Sequence, residues 1–256
     1  MHKKIAVIIL FLLCFSYSAT FAKTPLMIVI DDFGNGLDGT EEMLQLEIPL
    51  TIAVMPFLET SESDAKIAYE KGHEVIIHMP LEPKSGKRSW LGPKPITVDL
   101  SDEEIRQRVL EAIESVPHAK GMNNHTGSKA TENERVMRIV LEVCKEKGLY
   151  FLDSRTSHKS VVGKIAKEIH LPYLENQMFF DQQHTRTHMS KQAELVLKKL
   201  KEKDYVISIG HVGVSGDTMV DVIKSYFPLW QENAQMMTVS QFLEKDLQFL
   251  PGWDHQ

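Results

Sequence analysis

The feature that most limits what this chain can fold into is an alternation. Short apolar runs recur at 26–30, 50–55, 74–78, 149–152 and 205–209, with a poorly apolar segment at 120–124 and a weak one at 172–175 read as strands in the same series. Between them lie stretches patterned as helices, at 40–46, 61–71, 101–116, 131–147, 160–168, 190–203 and 217–226, with a closing segment at 237–242. Runs apolar throughout read as strands buried on both faces. A helix between successive strands returns the chain to the same end of the sheet, so the strands run parallel with helices outside. Helix limits are written locally: Ser101-Asp102-Glu103-Glu104 and Thr131-Glu132-Asn133-Glu134 are capping boxes, while Gly72 and Gly148 close the helices before them. Seven such units, with polar residues gathered on one side, point to an α/β fold that is a closed or nearly closed barrel.

Nothing in residues 23–256 has the composition of a linker, repeat or low-complexity segment, so this stretch reads as one domain. Ahead of it stand Lys3 and Lys4, an apolar run from Ile5 to Phe15, and small residues up to Ala22. These are the three regions of a secretion signal peptide, expected over 1–22, and the apolar run is too short to span a bilayer. Export follows, with retention of the leader as an N-terminal anchor the alternative. Formal charge is −6 over the 256 residues and becomes two units more negative if Lys3 and Lys4 leave with the leader. So acidic a chain has no electrostatic footprint for nucleic acid or an anionic membrane surface. Of the two cysteines only Cys144 survives cleavage, so no intramolecular disulfide is expected, and its place in a helical pattern makes it a small buried hydrophobe.

The chemistry-bearing residues collect at strand exits. Leu26-Met27-Ile28-Val29-Ile30 runs into Asp31-Asp32, His78 ends the third run, and Asn123-Asn124-His125 follows the fourth. Asp153 ends the fifth and His211 follows the seventh. In a parallel array these exits share one rim, where ligands bind. Neighbouring strand residues point to opposite faces, so Asp31 and Asp32 are expected to do different work. A lone histidine at a strand end is ordinarily a satisfied core or capping residue, and an aspartate there an Asx turn. Three histidines and two adjacent acids on one rim instead suit a divalent metal, most often zinc, with a carboxylate left over as base and a histidine as acid. No Gly-x-Ser-x-Gly elbow or Gly-rich phosphate loop is present to support serine-esterase or nucleotide chemistry.

Ile30-Asp31-Asp32, Gly72-His73-Glu74-Val75-Ile76-Ile77-His78 and Ile207-Ser208-Ile209-Gly210-His211 resemble the polysaccharide deacetylases of carbohydrate esterase family 4. Two further stretches, His78-Met79-Pro80-Leu81-Glu82-Pro83 and Gly121-Met122-Asn123-Asn124-His125-Thr126-Gly127-Ser128, resemble signatures of the divergent branch. The resemblance, which covers nearly all of 26–243, implies a distorted (β/α)7 barrel and zinc-dependent N- or O-deacetylation of an acetylated carbohydrate. By position Asp31 resembles the general base, Asp32 the metal-binding aspartate, His78 the first metal histidine, and His211 the acid that protonates the leaving group. Two departures stand out. Glu82 occupies the place of the usual second metal histidine, and the stretch around His125 replaces the usual Arg-Pro-Pro-Tyr-type segment. His125 is therefore expected as third ligand, with Glu82 as its competitor. Asn124, Asp153 and Arg155 are expected in supporting or substrate-binding roles, against the plainer reading of turn and cap residues. Trp90, on the long loop 84–99, suits sugar stacking or packing, while His73, His184 and His188 read as turn, surface or loop residues. The expectation is an exported metal-dependent deacetylase of a cell-envelope glycan; the competing expectation is a glycan-binding or structural protein that keeps the fold and metal with little activity.

Overall fold

The run at 26–30 forms the middle of β1 (Thr24–Phe33) in a computed structural model that describes residues 23–87 and 90–247. The leader expected at 1–22 lies outside the described residues. Leu26, Met27, Ile28, Val29 and Ile30 are fully buried, and each such burial contributes roughly 1.5–3 kcal/mol. Leu26, Ile28 and Ile30 pack outward with helix residues such as Val109, Val140 and Val220. Met27 and Val29 face inward, against Ala53, Ile76, Leu152, Ile207 and Ile209. One strand thus divides two cores, which is what an unbroken apolar run is for.

The remaining elements follow the expected alternation: α1 (Thr40–Leu44), β2 (Thr51–Val54), α2 (Ser61–Glu70), β3 (Glu74–Leu81), α3 (Asp102–Ser115), β4 (Ala119–Thr126), α4 (Glu134–Glu146), β5 (Tyr150–Asp153), α5 (Val162–Ile169), β6 (Tyr173–Glu175), α6 (Arg186–Lys199), β7 (Val206–His211) and α7 (Gly216–Asn233). A short β8 (Ala234–Met236) and α8 (Val239–Leu247) close the described chain. Strand order is β6-β5-β4-β3-β2-β1-β7, every pairing is parallel, and β8 adds to β1. Between β6 and β7, Phe180 N donates to Ile209 O (2.8 Å) and Ile209 N to Met178 O (3.0 Å). That bridge nearly closes the sheet, and the architecture is a distorted (β/α)7 barrel. At the opposite end α8 plugs the barrel with Val239 and Leu243.

Several boundaries move. β1, β3 and β4 run on through Phe33, Leu81 and Thr126, so the polar residues expected after the strands lie within them. Polar side chains broke the apolar pattern without breaking the ladder. The Ser101 capping box is present, with both reciprocal hydrogen bonds. The second is not: Asn133 caps α4 by accepting from Val136 N, and Thr131 lies in a 3-10 turn. α7 continues past Pro228 to Asn233, its last turns held by the buried Trp230, which packs on Phe180. Packing there outweighs the cost of a helical proline, about 3 kcal/mol. The segment expected at 237–242 is a helix, α8. Cys144 is buried against Met122 Sδ, and burial pushes its thiol up to about 12. Among the described residues no helix is long and apolar enough to cross a membrane.

Candidate active site

β1 delivers both of its aspartates to the mouth of the barrel. Counting inward from Met27 and Val29, Asp31 faces the interior and Asp32 should face the helices. Asp32 instead has φ 73°, the β1–β2 register shifts between Ile30 and Phe33, and Phe33 resumes the outward face. One residue in the left-handed region, which aspartate tolerates better than most, turns the second carboxylate back beside the first. The expectation of opposite faces is therefore corrected: His78 Nε2 lies 3.6 Å from Asp31 Oδ2 and 3.2 Å from Asp32 Oδ1.

Alternation places the partners. His78 shares the inward face of β3 with Ile76, and Asn123 and His125 share that of β4. Asn123 Nδ2 donates to Asp31 Oδ1 (2.9 Å), so its amide oxygen faces His78 Nδ1 at 2.7 Å. Nδ1 of His78 consequently carries the proton, and Nε2 is left with its lone pair. His125 Nε2 lies 3.0 Å from the carbonyl oxygen of Trp90, an acceptor only, which leaves the lone pair on Nδ1. Those two nitrogens and Asp32 Oδ1 form a triangle of sides 3.0, 3.1 and 3.2 Å. Asp32 Oδ1 is buried and accepts no well-directed hydrogen bond. Three potential electron-pair donors turned toward one another need positive charge between them, a shared proton when no ion is bound or a metal ion in its place. Ligands about 2.0–2.1 Å from a zinc ion lie roughly 2.9 Å apart at octahedral and 3.3 Å at tetrahedral angles, and the triangle falls between. Asp32, His78 and His125 fit a divalent metal, and each histidine's other nitrogen is anchored as such ligands require.

Burial separates the two carboxylates electrically. Desolvation dominates at Asp31 and raises its pKa, although His78, His211 and Asn123 oppose it. At Asp32 desolvation is outweighed, when no ion is bound, by proton sharing with His125 and His78, which holds its carboxyl well below the usual range. Acids pushed apart in this way mark a base beside a ligand. Across the mouth, His211 Nδ1 lies 3.0 Å from Asp181 Oδ1, and its backbone N donates to Asp181 Oδ2 (2.8 Å). Burial alone would lower the imidazole's pKa, but Asp181, with Asp32 and Asp31 further off, lifts it to about 10. His211 is thus kept protonated with Nε2–H free of that pair. A cleft of about 350 Å³ opens beside it, lined by Asp32, Phe179, Asp181, His184, His211 and Val214 among others.

Other expected site residues stand elsewhere. Glu82 is not in the triangle: Val98 N donates to its Oε2 (2.8 Å) and Lys129 pairs with Oε1 (2.7 Å). Asn124 faces away from Asn123; its Oδ1 accepts from Ser154 N (3.0 Å) and its Nδ2 donates to Thr126 O (2.6 Å), tying β4 to the loop after β5. Asp153 accepts from Arg155 N (2.8 Å), a strand-end contact within its own loop, and Arg155 Nε lies 3.7 Å from Glu175. His184 is on the cleft rim, near Ser215 Oγ (3.2 Å), whereas His73 is buried on Leu44 O. Asn123 and Asp181 went unassigned from sequence. Period-two counting back from His125 finds Asn123 in place of Asn124, and Met178-Phe179-Phe180-Asp181 repeats the apolar-run-then-acid pattern of Ile30-Asp31 in miniature.

Comparison with known proteins bears on the family and the fold. An uncharacterized protein of Haemophilus influenzae is 33% identical over 194 residues, 76% of this chain. Alignments to such relatives span 58–69% of the relatives' own lengths. The uncharacterized protein ATU2773 of Agrobacterium tumefaciens C58 superposes with a TM-score of 0.80 at 18% identity, over 88% of this chain and 91% of that one. The Bc1960 peptidoglycan N-acetylglucosamine deacetylase shares the fold with a TM-score of 0.54 at 13% identity, over 86% and 87%. A family model described as divergent polysaccharide deacetylase matches residues 28–243. The chain belongs to the divergent polysaccharide deacetylase family.

Proposed function

We propose that this chain is an exported, divalent-metal-dependent hydrolase that removes acetyl groups from a carbohydrate of the cell envelope. The observation that carries the proposal is the triangle of Asp32 Oδ1, His78 Nε2 and His125 Nδ1, flanked by one carboxylate of raised pKa and one protonated histidine. Support for export comes from the composition of residues 1–22, and for the substrate class from the family.

Asp32, His78 and His125 would hold the ion, zinc being the best match to this donor set. Bound there, it would supply Lewis-acid activation of water and of an acyl carbonyl. Asp31, within the same constellation, takes the proton of the attacking water; its raised pKa brings it toward the range where a base works. Asn123 holds Asp31 and His78 in fixed relation. His211 gives its proton to the departing amine or alcohol, and Asp181 holds the ring for that transfer.

Acetate release from chitooligosaccharides and peptidoglycan fragments, measured with zinc and with chelator, tests the proposal. Zinc-dependent release is expected, and Asp31→Asn should retain metal yet lose roughly 10²-fold or more in kcat. Glycan binding with no acetate release under any metal would overturn it and leave an envelope glycan-binding protein.

A further inference from the structure

We propose that Glu82 is a positioning residue for the cation site: it ties down a strap, residues 90–98, whose Trp90 carbonyl orients His125. This rests on the metal reading above and says what keeps the third ligand in place. His125 Nε2 lies 3.0 Å from the carbonyl oxygen of Trp90. That acceptor is on no strand; it belongs to the loop between β3 and α3. A loop carbonyl holds a ring only as firmly as the loop itself is held. The Trp90 side chain does not supply that hold, being 63% exposed.

Glu82, the residue after β3, supplies it. Its backbone N donates to Ile96 O (2.9 Å), and Ile96 N donates to Pro80 O (2.9 Å), so the strap lies on the end of β3 as a short parallel bridge at Leu81 and Ile96. The carboxylate reaches the same segment, Oε2 accepting from Val98 N (2.8 Å). On its other side Oε1 pairs with Lys129 (2.7 Å), and the Glu82 carbonyl accepts from Lys129 N and Ala130 N (3.0 Å each). One residue thus joins the strap, β3 and the turn after β4, and β3 and β4 are the strands of His78 and His125. Pro80, which holds Ile96, is also the β3 partner of His125 in the ladder. Between its ends the strap is stiff and seated: Pro93 and Pro95 fix φ, Leu91 and Ile96 are buried, and Arg108 donates to Pro95 O. Hydrogen bonds behind a ligating histidine set its tautomer and ring orientation, and with them the affinity for the ion. Glu82, the competing candidate for third ligand, acts on His125 through the strap instead.

The test uses full-length protein in wild type, Glu82→Ala, Glu82→Gln and Leu91→Ala, with zinc as probe in competition with a chromophoric chelator. Glu82→Ala should weaken zinc about tenfold, the lower end of what losing support behind a ligand costs. Glu82→Gln should recover most of that, because an amide oxygen still accepts from Val98 N. Leu91→Ala loosens the strap without touching Glu82 and should weaken zinc in the same sense, which keeps the proposal open to refutation if Glu82→Ala does not fold. Two further readouts separate positioning from general damage. The visible spectrum of the cobalt-loaded protein should change in Glu82→Ala, and amide exchange in the metal-free variant should quicken at 90–98 while the barrel strands keep their protection. Unchanged zinc affinity in Glu82→Ala and Leu91→Ala, or a loss that glutamine fails to rescue, as for a missing ligand, would overturn the role of Glu82. Wild type with no measurable zinc binding would overturn the metal reading itself, while exchange at 90–98 would still report whether Glu82 ties the strap.

Discussion

Asp31 and Asp32 are consecutive and chemically identical, yet their surroundings give them opposite protonation tendencies. The difference is geometric: Asp32 reaches both ring nitrogens, while Asp31 is buried more deeply and is held by an amide. Asn123 is the hinge of that division, so Asn123→Ala should weaken zinc binding by about 10–100-fold without removing a ligand, as read by competition with a chromophoric chelator. Asp181 governs His211 in the same indirect way. In metal-free protein the His211 ring should titrate near 10 by NMR, and in Asp181→Asn well below that, since burial then acts with less opposition. The sign carries over to stability. A folded pKa above the ordinary 6.5 makes the His211 contribution complete below about pH 6.5 and lost as pH climbs toward 10. Asp181→Asn should flatten that part of the stability profile, measured by denaturant titration across pH.

At the scale of elements, the mouth depends on how close two loops can come. Gly39, at φ 81°, precedes α1, and Gly216 opens α7 a few residues after His211. A Cβ on Gly216 would meet Asp38 O at 1.8 Å, and one on Gly39 would meet Gly216 at 2.4 Å. No side chain fits, because the backbones themselves touch there. Gly216→Ala should therefore cost about 1–3 kcal/mol in urea denaturation and should disturb the turn that carries His211. Nothing in the sequence around either glycine marks this close approach. The capping boxes make the same point: Ser101 closes its box, but Thr131 is drawn into the turn after β4 by Gly127 O, and Asn133 takes the cap. Local signals name candidate ends; the neighbouring strand chooses between them.

Viewed as a whole molecule, the barrel has a reactive mouth and a sealed base. At the base Glu74 is buried, accepting from Thr51 Oγ1 at 3.1 Å, Ser240 N at 2.9 Å and Tyr150 O–H, whose phenol burial and then Glu74 push well above its usual range. Gly121 leaves room for the Tyr150 ring inside the barrel. Since the carboxylate joins β2, β3, β5 and the start of α8, Glu74→Ala strands several buried donors at once. A loss of at least about 2 kcal/mol in unfolding free energy is expected by thermal or urea denaturation, with zinc content unaffected at the far pole.

By itself the sequence determined the class of fold and the pole at which chemistry collects. Short apolar runs alternating with helical patterns fit strands covered on both faces, and helices between them return the chain the same way, which places Asp31, Asp32, His78, His125 and His211 on one rim even though the segment before His125 is poorly apolar. Tertiary structure decided the rest: that Asp32 turns back beside Asp31, that Asn123 and not Asn124 faces inward, that Glu82 is occupied by Val98 N and Lys129, and that Asp181 grips His211. Periodicity encodes which face a residue occupies, but a single left-handed dihedral, a bulge or a contact between strands remote in sequence is set by packing that no local pattern records.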